Sequence, residues 1–448
     1  MNALTQYLDL YHDHRDLIDS KSAKTMNHLR PEAYEILKNA TLPKEGTDNY
    51  ENTDLQGMLA PDYGLNIAKL NIDFNPAATF HCDVPRITPT PFIVVNDSYY
   101  PSSKALEGLP EGVEVGSLKQ WAEKDPETVG RHYGKIADIK NPMVALDTLL
   151  AQDGFYLRVR KGVKVEKAMQ LVNILQNGMP LMAVRRLLII IEEGAEAQLL
   201  VCDHTQNPEL DFLALETVEI YVERNASFDL YNLEESTVKT NRISTLYLNQ
   251  EADSRVVIDG ITLYNGTTRN EYYCNFRGEN ASLRLLGMGI EDERRRLSNY
   301  THINHAVKHC KSDELFKYSV DDEARGAFTG RIYVAEGAEK TEAYQSNRNL
   351  VGSRTARMES RPELVIYNDD VKCSHGSATG QLDSMQLFYM RTRGLDEATA
   401  RLLLKQAFMA DIIDGIRVDA LRDRLHLLVE RRFAGASSAC AGCAGCKD

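Results

Sequence analysis

Between about residues 155 and 372 the chain repeats one small pattern. A small residue follows a turn, and four positions later an apolar residue recurs: Ala195/Leu199, Ala226/Leu230, Ala252/Val256, Ala281/Leu285 and Ala324/Phe328. The first four starts are 31, 26 and 29 residues apart. Residues i and i+4 lie on one face of a strand. A strand-and-turn unit recurring every few tens of residues cannot bury its apolar face alone, whereas stacked units share a continuous core. The pattern therefore predicts a β-helix or β-solenoid. A β-sandwich is the alternative, but it needs hairpin turns at a regular spacing of about 8–12 residues, and the turns here are not regular. Short β-branched and aromatic runs fill the same stretch, at 187–191, 198–202, 217–222, 255–258 and 363–367.

The flanks have a different texture. Residues 3–17 and 31–37 have helical character, 43–61 reads as loop, 70–74 alternates apolar and polar residues as a strand does, and 118–125 is a short helix whose Trp121 has packing as its expected role. Beyond 383, residues 395–413 read as a helix capped by Asp396, with Glu397 in its first turn. Gly415 breaks it. Val418, Leu421, Leu425 and Leu428 then mark a second amphipathic helix. Packing of these stripes on each other and on the end of the solenoid is expected to take most of their area, leaving the remainder for a partner. The expected division is a mixed, largely helical region 1–154, a β-helix core 155–382, a helical domain 383–434 and a small, polar, cysteine-rich tail 435–448.

Composition excludes some functions. The 448-residue chain carries a net charge of −13, which disfavours a nucleic-acid partner. It has no run of about 18 apolar residues to span a membrane. Residues 1–15 lack the basic and apolar regions of a signal peptide, so the default compartment is the cytoplasm. No GxxxxGK(S/T) phosphate loop is present.

Eight cysteines lie at 82, 202, 274, 310, 373, 440, 443 and 446. They do not form a disulfide framework in a chain of this size and compartment. Cys373 and His375 stand two residues apart in Asp369-Asp-Val-Lys-Cys-Ser-His-Gly376, so an extended backbone puts thiol and imidazole on one side, as two ligands of one metal require. A tight turn with a packed cysteine explains the same residues. Cys440-Ala-Gly-Cys443-Ala-Gly-Cys446 matches part of a ferredoxin-type cluster run but lacks its fourth cysteine and proline. Such a thiol cluster could bind iron, receive sulfur or be inert. His305 and His309 have permissive metal spacing. The pairs Asp321-Asp322 and Asp369-Asp370 suggest acid–base carboxylates of a polysaccharide lyase or hydrolase built on a β-helix. Adjacent strand residues point to opposite faces, however, and turns are the better reading.

The segment from Asp369 runs on through Gly380 into Gln381-Leu-Asp-Ser-Met-Gln-Leu-Phe-Tyr-Met-Arg-Thr-Arg-Gly394. This long, ordered stretch closely resembles the SufD signature of the SufB/SufD family of iron–sulfur cluster assembly proteins. Phe328-Thr-Gly330, Ala338-Glu-Lys-Thr341, Gln345 and Asn349-Leu350 resemble the family upstream, and so do residues 145–154 and 163–166. Leu42-Pro43 with residues 50–55 is similar more loosely, lacking a tryptophan. The resemblance covers nearly the whole chain, most strongly from 300 to 415, and ends before the cysteine tail.

It implies a right-handed parallel β-helix between an N-terminal helical region and a C-terminal helical domain. It also implies a non-enzymatic scaffold that pairs through the β-helix with a SufB-like subunit and docks a SufC-like ATPase through the helices around 395–434. A homodimer of the isolated chain is the alternative pairing. Met390 stands where SufB-like chains carry a cysteine, and His375 belongs to a Ser-His-Gly that SufB-like chains replace, so the likeness is to the SufD branch. There the histidine matching His375 faces the partner's cysteine and helps hold a transient cluster shared at the interface, with none permanently bound. Cys373 is the second candidate ligand. His305 and His309 resemble family positions within the β-helix.

Overall fold

The computed structural model describes residues 2–70, Pro76, Ile87 and 90–435. Residues 71–74 of the alternating stretch, Cys82, and the tail cysteines Cys440, Cys443 and Cys446 lie outside the described residues.

Among the described residues, the strands form two sheets, of ten and nine strands, that alternate along the chain and stack as a parallel β-solenoid of about eight turns. One wall includes the strands Met169–Leu175, Glu196–Thr205, Ser227–Glu235, Arg255–Tyr264, Ser282–Glu291, Lys311–Val320, Glu342–Val351 and Lys372–Gly380. The other includes Gly154–Val159, Leu181–Ile191, Phe212–Val222, Thr240–Gln250, Thr267–Phe276, Arg296–His305, Arg325–Val334 and Arg357–Ile366. Phe92–Val95 and Ser98–Tyr100 extend the first wall, and Val113–Ser117 pairs antiparallel with Gly154–Val159 at the start of the second.

The predicted repeat corresponds to a real column with one correction. Leu199, Leu230, Ile258 and Leu285 are register partners on the first wall and all face the lumen core. The small residue before each strand is Ala195, Ala226, Ser254 and Ala281, all essentially inaccessible to water. Thus Ser254/Ile258, not Ala252/Val256, is the third unit. Ala252 lies two residues earlier in the turn, and Val256 is a register partner of Phe228. A shift of two preserves strand face, so the error did not disturb the apolar pattern. Ala324 and Phe328 belong to the second wall.

Six strands of the first wall, from Glu196–Thr205 to Glu342–Val351, follow by two positions a residue with positive φ: Gly194, Asn225, Asp253, Asn280, His309 and Lys340, at 54° to 69°. Their N–H groups bond to the following coil, as in Asn225 to Ala252 O and His309 to Glu339 O, both 2.9 Å. Glycine, asparagine and aspartate tolerate this conformation best. His309 is therefore a turn residue.

The lumen is not purely apolar. A second column on the first wall runs Asn173, Asp203, Glu234, Thr262, Gly289, Tyr318, Asn349, Thr379. Facing it, Arg185 and Arg242 bridge Asp203 and Glu216, and Arg242 continues through Asn270 and Asn299 to the Tyr318 hydroxyl. Burial opposes ionisation of Asp203, but the two guanidiniums outweigh it and hold the carboxyl below its ordinary range. Such charges persist only when paired and hydrogen-bonded.

Both outer walls carry cover. N-terminal helices such as Leu4–Ser20, Arg30–Asn39 and Pro142–Leu150 pack on Met182, Val184, Leu213, Leu215 and Ile243 of the second wall. Trp121 stacks on Tyr156 at 5.2 Å, a packing role. Residues 43–61 are not all loop: Asp54 caps a short helix, Leu55–Leu59. At the other end, Asp396 caps Glu397–Ile413 by accepting the Thr399 N–H, and Asp419–Phe433 follows. Their apolar faces pack on the outer side of the first wall, Ile412, Ile416, Leu421 and Leu425 joining Leu200, Tyr231, Leu263 and Leu286. The sequence reading placed them on the solenoid end. The wall wins because its outward columns are themselves apolar and need cover.

Candidate functional site

The solenoid changes character in its last turn. Strand Arg357–Ile366 is only partly covered, and strand Lys372–Gly380 is exposed at every position except Cys373. Each has a single neighbour in its sheet, so each presents a free edge. The turn is also uncovered inside. Cys373, His375, Ser377 and Thr379 continue the lumen-facing positions of the preceding coil, Ala343, Gln345, Asn347 and Asn349. Across the mouth, the Ser377 and Ser360 hydroxyls are 2.6 Å apart.

The column that carries Leu199, Leu230, Ile258 and Leu285 continues to Glu314, Gln345 and His375. Four apolar residues give way to three polar ones at the end of one register line. Glu314 and Gln345 are buried, at 0% and 3% exposure, while the His375 imidazole is exposed. Gln345 Nε2 donates to Glu314 Oε2 at 2.7 Å. Burial pushes the Glu314 carboxyl up to about 7, and that hydrogen bond works against the shift. Gly330, on the opposite wall, leaves room for the Gln345 amide: a Cβ there would lie 2.3 Å from Nε2.

Cys373 and His375 share the lumen side of one strand, as the two-residue spacing requires. Partial burial raises the Cys373 thiol above its ordinary value, with a backbone hydrogen bond opposing. Thiol and imidazole are both iron ligands. Among the described residues no group of three or more His, Cys, Asp or Glu is placed to hold a metal. Cys373 and His375 are thus two candidate ligands at an uncovered coil.

The other sequence candidates among the described residues do not join them. His305 is buried in the lumen beside Phe276, with Nε2 2.9 Å from the Ser312 hydroxyl. Burial lowers its pKa to about 3, so it is a neutral core histidine. His309 occupies its turn. Asp322 takes a positive φ in a turn, and Asp321 pairs with Lys405 at 2.6 Å.

Comparisons with known proteins now bear on this geometry. The family model described as SUF system FeS cluster assembly, SufBD core domain, matches residues 173–408. The SufBD protein N-terminal region matches residues 1–171. The chain belongs to the SufBD family of iron–sulfur cluster assembly proteins. The iron–sulfur cluster assembly protein SufD of Escherichia coli is 26% identical over 438 residues, covering 97% of each chain. A SufBD family protein of Synechocystis is 26% identical over 411 residues, covering 90% of each. SufD of Bacillus subtilis is 23% identical over 426 residues, 91% of this chain and 94% of its own. The core match spans the solenoid strands from Leu181–Ile191 onward, with His375. No helix among the described residues is long and apolar enough to cross a membrane.

In the sequence Gln345 is only a point of family likeness, and Glu314 belongs to none of the motifs above. The signal was present. Cys310, Thr341 and Val371 each precede a strand by one residue, and four positions on from them stand Glu314, Gln345 and His375. Continuing the repeat past its apolar members finds all three.

Proposed function

We propose that the chain is a SufD-type scaffold subunit of an iron–sulfur cluster assembly complex, and that His375 supplies one ligand to a nascent cluster shared with a SufB-like partner. The supporting observation is the polar end of the register column: its last member is an exposed imidazole on an uncovered coil with free strand edges. A partner solenoid seated there would bury the edges and bring its own thiolates opposite. The cluster is cargo, held transiently and not resident. Mixed imidazole and thiolate ligation, reached from two chains, allows release when the chains part. Cys373, on the same side, is the second candidate ligand.

The partner pairs through the last coil, aided by the helix Ser384–Thr392, which buries none of its residues and exposes Met385, Phe388 and Tyr389. A SufC-like ATPase docks on the two following helices, whose motion would be transmitted to the mouth. Between the helices Ser384–Thr392 and Glu397–Ile413 and the last strands lies a groove of about 490 Å³ lined by residues including Leu350, Ala378 and Phe408. The chain acts in the cytoplasm and catalyses no reaction of its own. The thiols of Cys440, Cys443 and Cys446 handle iron or sulfur in this reading. Truncation after Gly435 tests that role.

Co-expression with SufB-like and SufC-like subunits tests the whole reading, with iron, sulfide and absorbance measured on the purified complex. His375→Ala is expected to lower cluster content without loss of partners. Unchanged cluster content removes the site assignment, and failure to co-purify with the ATPase removes that docking claim.

A further inference from the structure

The His375 column holds a second, unassigned feature. Gln345 is fixed at one end, since its Nε2 donates to Glu314 and the amide sits in space that Gly330 keeps open. Its Oε1 is buried and has no hydrogen-bond partner. Leaving a buried amide oxygen unpaired is costly, so such an atom calls for an explanation. The in-register neighbour of Gln345 on the free side is His375, on the same face of the ladder. Side chains at paired positions of adjacent parallel strands stand side by side, as Asn270 and Asn299 do here with a 3.0 Å hydrogen bond.

We propose that Gln345 is a positioning residue for His375. Its Oε1 accepts the proton on one imidazole nitrogen and so leaves the other nitrogen with its lone pair toward iron, while Glu314 anchors the amide from behind. No bond is made or broken; the device selects a tautomer and a ring orientation. Neutral imidazole binds a metal through one nitrogen only when the other carries the proton, and partners of that second nitrogen fix both orientation and basicity. The line from Glu314 through Gln345 to His375 is thus a support built into the repeat.

This inference rests on the cluster role of His375 proposed above, and its test separates the two. In the full-length chain assembled with SufB-like and SufC-like partners and loaded with iron and sulfide, Gln345→Met keeps length but removes the acceptor. Iron loss to a chelator is expected to accelerate by roughly tenfold or more, the range for such supporting residues. Nitrogen hyperfine coupling of the reduced cluster is expected to change with it. In the cluster-free chain labelled with ¹⁵N-histidine, the wild type is expected to hold one His375 tautomer and Gln345→Met a mixture. The exchange variant Glu314→Gln/Gln345→Glu retains an acceptor beside His375 and is expected to restore slow iron loss. Gln345→Asn, polar but too short to reach, should behave as Gln345→Met does if the longer substitution disturbs folding. Wild-type iron loss and a single tautomer in Gln345→Met and Gln345→Asn overturn the positioning role. If His375→Ala itself leaves the cluster unchanged, the cluster role of His375 falls first.

Discussion

Several single residues report how tightly the lumen is filled. Gly287 faces Phe316 so closely that a Cβ would lie 2.3 Å from the ring. Gly287→Ala is therefore expected to destabilise the chain by about 1–3 kcal/mol through overpacking, read as a lower denaturant midpoint at an unchanged slope. Asp259 poses a different residue-scale problem. It is buried on the outer side of the first wall, and neither carboxylate oxygen has a hydrogen-bond partner. Burial raises its pKa from 3.8 to about 8, with Arg284 opposing. The native chain therefore holds a proton that the unfolded chain releases at much lower pH. The associated stabilisation is complete below the unfolded pKa and is lost as pH rises through about 8. Asp259→Asn removes that titration, so its melting temperature relative to wild type should rise between pH 5 and pH 9. A pH-independent difference in calorimetry would contradict this account.

The two C-terminal helices are held to the wall by more than apolar area. Arg432 is buried, donates to Leu263 O at 2.6 Å and Ile290 O at 3.1 Å, and pairs with Asp292. Lys317 reaches Phe408 O and Asp411 in the same way, at 2.7 and 2.5 Å. Arg432→Met leaves the Leu263 and Ile290 carbonyls without this donor and Asp292 paired with Arg295 alone, and should cost about 1–3 kcal/mol. Hydrogen exchange should show residues 419–433 losing protection while the solenoid strands keep theirs; a uniform loss would mean that helices and wall unfold as one unit. These helices were legible in the sequence down to the Asp396 cap, because capping and a 3.6-residue stripe are local signals. Their resting place was not. It depends on which columns of a distant wall point outward, and that follows from the stacking register.

At the scale of the molecule the solenoid is polarised. Its early coils are covered on both walls and its final coil is open. Lys372 N–H donates to Thr341 O at 2.8 Å, so by alternation along the strand the N–H groups of Cys373, His375 and Ser377 point to the free edge. Ser377→Pro removes one edge donor without touching the internal ladder. It should weaken co-purification with a SufB-like partner while shifting the melting temperature of the isolated chain little. Retained association at wild-type strength would place the partner elsewhere.

By itself the sequence determined the stacked β architecture, the helical flanks and the Cys373/His375 pair, since each rests on spacings of two to about thirty residues along the chain. The strand face of a residue follows from its parity, so even the misplaced Ala252/Val256 unit left the pattern intact. Tertiary structure alone decided that the last coil is open, that the Gln345 amide bonds back to Glu314 behind His375, and that His305 and His309 do not join them. Those facts turn on register between coils and on what covers each wall. Hydrogen bonding between strands some thirty residues apart sets the first, and packing of segments hundreds of residues distant sets the second.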